Sequence, residues 1–303
     1  RPAFDLYIDA DATDGISVPI REGHFVLSPS FDLLPALVPP GGRVLDLGAH
    51  IGTFALSAAT RGYEVLCVEA SARNAVLLRA SIEKNGVADR VRVVDAAISN
   101  REGTLEFIQA GPYGLVANPS IDLPKTTVRA ATVSQILEEV GWDRVDFIKM
   151  DIEGSEVKGV QGMIPLLAPD DAPPLFYESN GGTLRYFGQT PYTLAGSLEA
   201  LDYRCYRVHG NVLIPVDSTT LQPDVVIDIL AVKQLPTTLE GWTVRDAGLT
   251  RKELLGLALE ALNHPLEDNR AWAARAVGEW GTGLMFDERL RQKLQDVTRD
   301  PHP

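Results

Sequence analysis

Between residues 43 and 233, short apolar runs alternate with stretches of helical spacing, and that rhythm restricts the chain to one fold class. Residues 43–47 read as a buried strand that stops at Gly48, and 53–61 carry small and apolar side chains at helical spacing. Residues 64–69 form a second apolar run through Val65, Leu66, Cys67 and Val68. Ser71 opens a helix that runs to Asn85, with Gly86 as its stop. Residues 91–94 read as a third strand and 104–109, by their alternation, as a fourth; 110–125 hold Gly, Pro and Asn without periodicity and read as a loop. Thr132 caps a helix over 132–140, 145–150 is a strand ending at Asp151, and 155–167 is helical. Strand 175–178 and helix 191–201 follow. Residues 203–208 and 211–216 then make a hairpin around His209-Gly210, and 225–233 give the last strand. Strands alternating with helices predict an α/β, Rossmann-like sheet: seven strands, mostly parallel, covered on both faces, with an antiparallel hairpin at one edge.

Residues 1–40 form an N-terminal preface, with a short strand at 25–27 and the punctuation Pro35, Pro39, Pro40, Gly41-Gly42 before the main domain at 41–234. From 235 to 303 the character changes. Residues 253–259 and 271–277 read as helices separated by Pro265, so a C-terminal helical appendage is expected, with Trp242, Trp272 and Trp280 as packing anchors. This tail either covers a face of the domain or builds a homo-oligomer. The composition, 45% hydrophobic and 23% charged over 303 residues, supports a sizeable core. A formal net charge of -13 repels phosphate backbones and argues against a nucleic-acid partner. Cys67 and Cys205 make neither a disulfide framework nor a zinc site and read as packed thiols. No apolar stretch is long enough to span a bilayer, and residues 1–14 are unlike a signal peptide, so a cytoplasmic location is expected.

In such a sheet, ligands bind beyond the carboxyl ends of the strands. The first strand ends in Asp46-Leu47-Gly48-Ala49-His50-Ile51-Gly52. Glycines there let a ligand approach the backbone, and Asp46 can accept hydrogen bonds from the turn or from an ammonium group. A dinucleotide site needs glycines spaced G-x-G-x-x-G. Here Ala49 and His50 follow Gly48, and that bulk disfavours a pyrophosphate while suiting a smaller aminoacyl group. Glu69 ends the second strand, where a carboxylate can accept both ribose hydroxyls, and Asp95-Ala96-Ala97-Ile98 would border an adenine. The pattern points to S-adenosylmethionine as the bound group. Two other classes remain open: a nicotinamide-dependent oxidoreductase, and a non-catalytic donor-binding module that meets a partner through the tail.

The residues resemble the FkbM family of methyltransferases. The resemblance is carried by Asp46-Leu47-Gly48-Ala49-His50-Ile51-Gly52-Thr53-Phe54, Glu69-Ala70-Ser71, Ser81 to Asn85 and Ala96-Ala97-Ile98-Ser99. Most specific is Ile148-Lys149-Met150-Asp151-Ile152-Glu153-Gly154-Ser155-Glu156. It covers roughly residues 40–180. The chain departs from the pattern at His50, where Asn is frequent, at Ala70, where Pro is, and at Ser134, where Asp is. The resemblance implies O-methylation of a hydroxyl on a sugar, glycolipid or natural product, hence a small-molecule or glycan acceptor.

An attacking alcohol has a high pKa and benefits from a base. Asp151, at the end of a central strand, is the leading base or positioning group, with Glu153 orienting donor or acceptor and Lys149 pairing with one of them to lower its pKa. His50 is a second base, whereas His24 and His209 read as surface residues. Tyr113, Asn118 and Tyr186 fall in loops that could cover an acceptor. Asp151 with Glu178-Ser179-Asn180 also resembles the magnesium-holding pattern of catechol-type methyltransferases, because oxygen ligands suit a hard cation.

Overall fold

The structure is a computed structural model that describes residues 4–11, 17–24, 28–110, 113–117, 122–218, 221 and 226–248. Its strands are β1 (Arg43–Leu47), β2 (Glu64–Glu69), β3 (Val91–Asp95), β4 (Ala97–Ile98), β5 (Gly103–Ala110), β6 (Tyr113–Val116), β7 (Lys125–Ala131), β8 (Phe147–Met150), β9 (Leu175–Asn180), β10 (Arg204–His209), β11 (Val212–Val216), β12 (Val226–Val232) and β13 (Thr243–Val244). Helices α1 (Ser17–Arg21), α2 (Ser30–Leu37), α3 (Thr53–Thr60), α4 (Ala72–Lys84), α5 (Val133–Val140), α6 (Glu156–Gly162), α7 (Ile164–Leu167), α8 (Gly181–Tyr186) and α9 (Pro191–Glu199) lie between them.

The main sheet runs β13-β11-β10-β12-β9-β8-β1-β2-β3. Its five strands from β9 to β3 are parallel. The sheet has apolar side chains on both faces, and the period of two assigns them. Val44, Val65, Cys67, Phe147 and Phe176 pack on one side with α2 and α3 residues such as Phe31, Leu33 and Phe54. Leu45, Leu47, Leu66, Val68, Ile148 and Met150 pack on the other with Val160 of α6 and Leu194 of α9. Cys67 and Cys205 are buried and free, in opposite cores.

Several details differ from expectation, among them β6 and β7, which lie where a loop or no strand was expected. The main sheet has nine strands among the described residues, not seven. Its antiparallel β12 lies inside, between β9 and β10, while β10-β11 form the hairpin and β13 takes the edge. Segment 104–109 does not join that sheet. It is β5 of a second, four-stranded sheet ordered β4-β7-β5-β6. The physical reason is its polarity: the first half of β5 is largely exposed, whereas the central parallel strands bury both faces. The helix expected over 155–167 is two helices, broken at Met163 with Pro165 in the first turn of α7. The preface contributes α2, whose Phe31, Leu33 and Leu34 are buried in the core, and residues 235–248 add buried Leu239 and β13. The strand expected at 25–27 and the helices at 253–259 and 271–277, with Trp272 and Trp280, lie outside the described residues. Among the described residues no helix is long and apolar enough to cross a membrane.

Candidate active site

The carboxyl ends of β1, β2, β8 and β9 open into one cavity of about 470 Å³, within the size range of small-molecule pockets. The second sheet supplies another wall through Phe107, Gly114 and Val116.

Glu69 is 7% exposed in this wall and is held by two main-chain donors. The amide of His50 donates to Oε2 and the amide of Ser71 to Oε1, both at 2.8 Å. Each carboxylate oxygen has two lone pairs, so both keep one for a ligand. Burial pushes the Glu69 carboxyl up, and the two backbone hydrogen bonds pull it back. Ser71 caps α4: its Oγ accepts from the Asn74 amide and from Gln109 Nε2, which ties β5 to this corner. His50 also lines the wall at φ 52, a left-handed conformation that is strained for a non-glycine residue. Glu153 shares that feature at φ 51, also in the wall.

Behind the wall, Lys149 links both loops. Its Nζ donates to the Gly48 carbonyl at 3.1 Å and lies 3.5 Å from Asp46 Oδ1 and from Asp151 Oδ2. Asp46 and Lys149 are register partners on β1 and β8, which puts the pair on one face of the sheet. Burial opposes the Lys149 charge, but Asp151 and Asp46 outweigh it, and the amine titrates above its usual range. It is a fixed cation. For Glu153 the balance is the opposite: burial first, then the Asp151 charge, push it up to about 7, and Lys149 pulls it back only in part. Glu156, 3% exposed, holds the loop between them, its Oε1 accepting from the amides of Ile152 and Gly154 at 3.1 and 3.2 Å.

Of the residues expected to form the site, Gly48, His50, Glu69, Ala70, Ala96, Ala97, Asp151 and Glu153 line the cavity. Asp46 and Lys149 sit behind it. Ala49 and Phe54 are buried in the core, where the Phe54 ring centroid is 6.1 Å from those of Phe31 and Phe147. Gly52 and Thr53 start α3, Ser71 caps α4, and Asp95 is 59% exposed in an ion pair with Arg79. The glycines do not clear space for a ligand as expected. A Cβ on Gly48 would lie 1.8 Å from the Asp151 carbonyl oxygen, and one on Gly52 would lie 2.4 Å from the Leu78 side chain, so both make room for the protein itself. Asn74, Phe107, Val116 and Val226 also line the cavity, as does Ser155 from the most specific motif. Among the described residues no three His, Cys, Asp or Glu are placed to hold a metal ion, so the magnesium reading finds no ligand set. Tyr186 is half exposed at the end of α8, the Tyr113 side chain and Asn118 lie outside the described residues, and His209 ends β10 exposed.

The sequence model described as "Methyltransferase FkbM domain" matches residues 46–205, more than half of the chain. The chain belongs to the FkbM methyltransferase family. A curated relative, the 23S rRNA (uracil(1939)-C(5))-methyltransferase RlmD of Halomonas elongata, is 48% identical over 113 residues, 36% of this chain. The chain spans only 22% of that relative's length. Among solved structures, an O-methyltransferase from Bacillus cereus in complex with SAH is 14% identical, covers 68% of this chain and 81% of its own, and has a TM-score of 0.38. The METTL16 MTase domain is 14% identical, covers 76% of this chain and 73% of its own, and has a TM-score of 0.44.

S-adenosylmethionine is the donor of this family of methyltransferases, and the FkbM cavity fits it on two counts. Glu69 is a rigid carboxylate with lone pairs to spare, and the His50 side chain lies in the wall near Gly48, where a dinucleotide site needs a second glycine.

The buried acids of this FkbM domain also set its pH response. Burial raises Glu156 to about 7, and burial with neighbouring charge raises Glu153 to about 7 and Asp228 to about 6. The folded state therefore holds more protons than the unfolded state above the usual carboxyl range. Their stabilising effect is full below that range and is lost as pH rises through about 6 to 7. For Glu156 alone the loss amounts to roughly 3 kcal/mol, at about 1.4 kcal/mol per pH unit. Thermal unfolding of the ligand-free protein is expected at higher temperature at pH 5.5 than at pH 8.5. Glu156→Gln keeps the Oε1 contacts and should shrink the difference; an unchanged difference would refute the assignment.

Proposed function

We propose that this chain is an S-adenosylmethionine-dependent O-methyltransferase acting on a hydroxyl of a sugar, glycolipid or natural product. The observation that carries the reading is Glu69, fixed by two main-chain amides and still able to accept two hydrogen bonds, as a vicinal diol requires. Glu69 binds the ribose hydroxyls, Ala70, Ala96 and Ala97 border the adenine, and Gly48, His50 and Asp151 surround the aminoacyl end. When bound, the donor supplies a methyl group already activated on a sulfonium. The chain supplies orientation and a base. Asp151 is held in an ion pair with Lys149 Nζ at 3.5 Å, which suits it to positioning. Glu153, raised to about 7 despite the partial pull of Lys149, is the better base and takes the acceptor hydroxyl proton onto its carboxylate. This reverses the order expected from sequence, with Asp151 becoming the positioning group and Lys149 its anchor. Replacing Glu69 with alanine should weaken S-adenosylhomocysteine binding by about 1–3 kcal/mol, measured by calorimetry; an unaltered Kd sinks the ribose assignment.

A second reading, transfer to RNA, is favoured by the Halomonas relative. Against it stand the net charge of -13 and a cavity wall without Lys or Arg among the described residues, both unfavourable to phosphate. Labelled-methyl incorporation into ribosomal RNA, compared with small hydroxyl acceptors, separates the two. A nicotinamide oxidoreductase is tested by titrating NAD against S-adenosylhomocysteine.

A further inference from the structure

The end of the cavity beyond Glu153 has a charge pattern that hydroxyl methylation alone does not require. Glu178 lines the wall from β9, and Asp228 is its direct register partner on β12, so both side chains lie on one face of the sheet. Glu153 approaches from the loop after β8. Like charges set opposite one another in a sheet repel, and Lys149, already ion-paired with Asp46 and Asp151, offsets them only in part. No Lys or Arg lines the cavity among the described residues, and the ion pairs of Lys149 are with Asp46 and Asp151. Burial, followed by the charges of Asp151, Glu153 and Asp228, pushes Glu178 well up from the usual carboxyl range. Asn180 Nδ2 donates to Glu178 Oε1 over a long 3.4 Å.

Ser155 is an independent pointer to a ligand. It is 2% exposed and lines the same wall as Glu153 and Glu178, and its Oγ has no hydrogen-bond partner among the described residues. A buried hydroxyl without a partner is a cost that a ligand's polar group removes. The acids are not gathered tightly enough to hold a metal ion, which favours a larger organic cation whose charge can be shared among separated carboxylates.

We propose that this end of the cavity binds a protonated amine of the acceptor, so that the substrate is an amino-hydroxy compound, such as an amino sugar or amino alcohol. Glu178 and Asp228 face the ammonium, Ser155 Oγ bonds a neighbouring polar atom, and the hydroxyl to be methylated lies toward Glu153. This rests on the methyl-transfer reading and adds the charge of the acceptor to it.

The test uses the full chain with labelled S-adenosylmethionine and three matched acceptor pairs: glucosamine against N-acetylglucosamine, serinol against glycerol, and tyramine against 4-ethylphenol. The charged member of each reacting pair should show at least a tenfold higher kcat/KM, and Glu178→Gln should collapse the ratio. Because the readout is a ratio within one variant, poorer folding does not imitate the result. Equal or better turnover of the neutral members overturns the inference and leaves the methyl-transfer reading standing. A Glu178→Gln chain that loses S-adenosylhomocysteine affinity also overturns it, because the cluster would then serve the donor. Donor binding without transfer to any member overturns both.

Discussion

Gly48→Ala is expected to abolish cooperative folding, or to lower stability by more than about 4 kcal/mol, because two independent penalties meet at one atom. The residue has φ +77, a conformation that costs an L side chain roughly 1–2 kcal/mol. The new Cβ would also stand 1.8 Å from the carbonyl oxygen of Asp151 and 2.9 Å from its carbonyl carbon. That neighbour is backbone and cannot rotate away, and the Asp151 amide is itself bonded to Leu47 O at 3.0 Å. Relief requires parting the ends of β1 and β8. Gly141→Ala is the control, since Gly141 has φ +70 but nothing within 4 Å of its added Cβ. Urea unfolding should find a loss of about 1–2 kcal/mol there. Similar losses at both positions would show that backbone conformation, not the contact with Asp151, makes Gly48 necessary.

The second large effect is kinetic. Glu153→Gln should lower kcat by about 10²- to 10⁴-fold, the range a general base contributes, while S-adenosylhomocysteine affinity stays within a few-fold. The sign of the pH response follows from the carboxyl at about 7: below that value Glu153 is protonated and idle, so kcat/KM should rise with pH and level off above it. The variant should lose that inflection. If Asp151→Asn flattens the profile and Glu153→Gln does not, the roles of the two acids are the reverse of those assigned here.

What could be read from sequence was local. The caps at Ser71 and Thr132, the stop at Gly86 and the strands ending at Gly48, Glu69 and Asp151 depend on neighbours a few residues away. The rule that open α/β sheets bind beyond their carboxyl ends then placed Gly48, Glu69, Ala96 and Asp151 at one cavity. The misreadings were non-local. Strands β5 and β7 pair across an intervening segment, and no periodicity announces β6, so the wall built from Phe107 and Val116 was not foreseen. Phe54 follows the donor turn directly, yet helical geometry turns its ring inward between Phe31 and Phe147. The exchange of roles proposed for Asp151 and Glu153 depends on where Lys149 Nζ reaches, which spacing along a chain does not specify.

Main-chain amides restrain the Glu69 carboxylate before any ligand arrives. A side chain tethered at both oxygens has already lost its rotamer freedom during folding, so a diol meeting it extracts little further entropy from the protein. In the role proposed for Glu69, affinity for the sugar of a nucleoside then reflects the hydrogen bonds themselves, with little deducted for freezing the receptor.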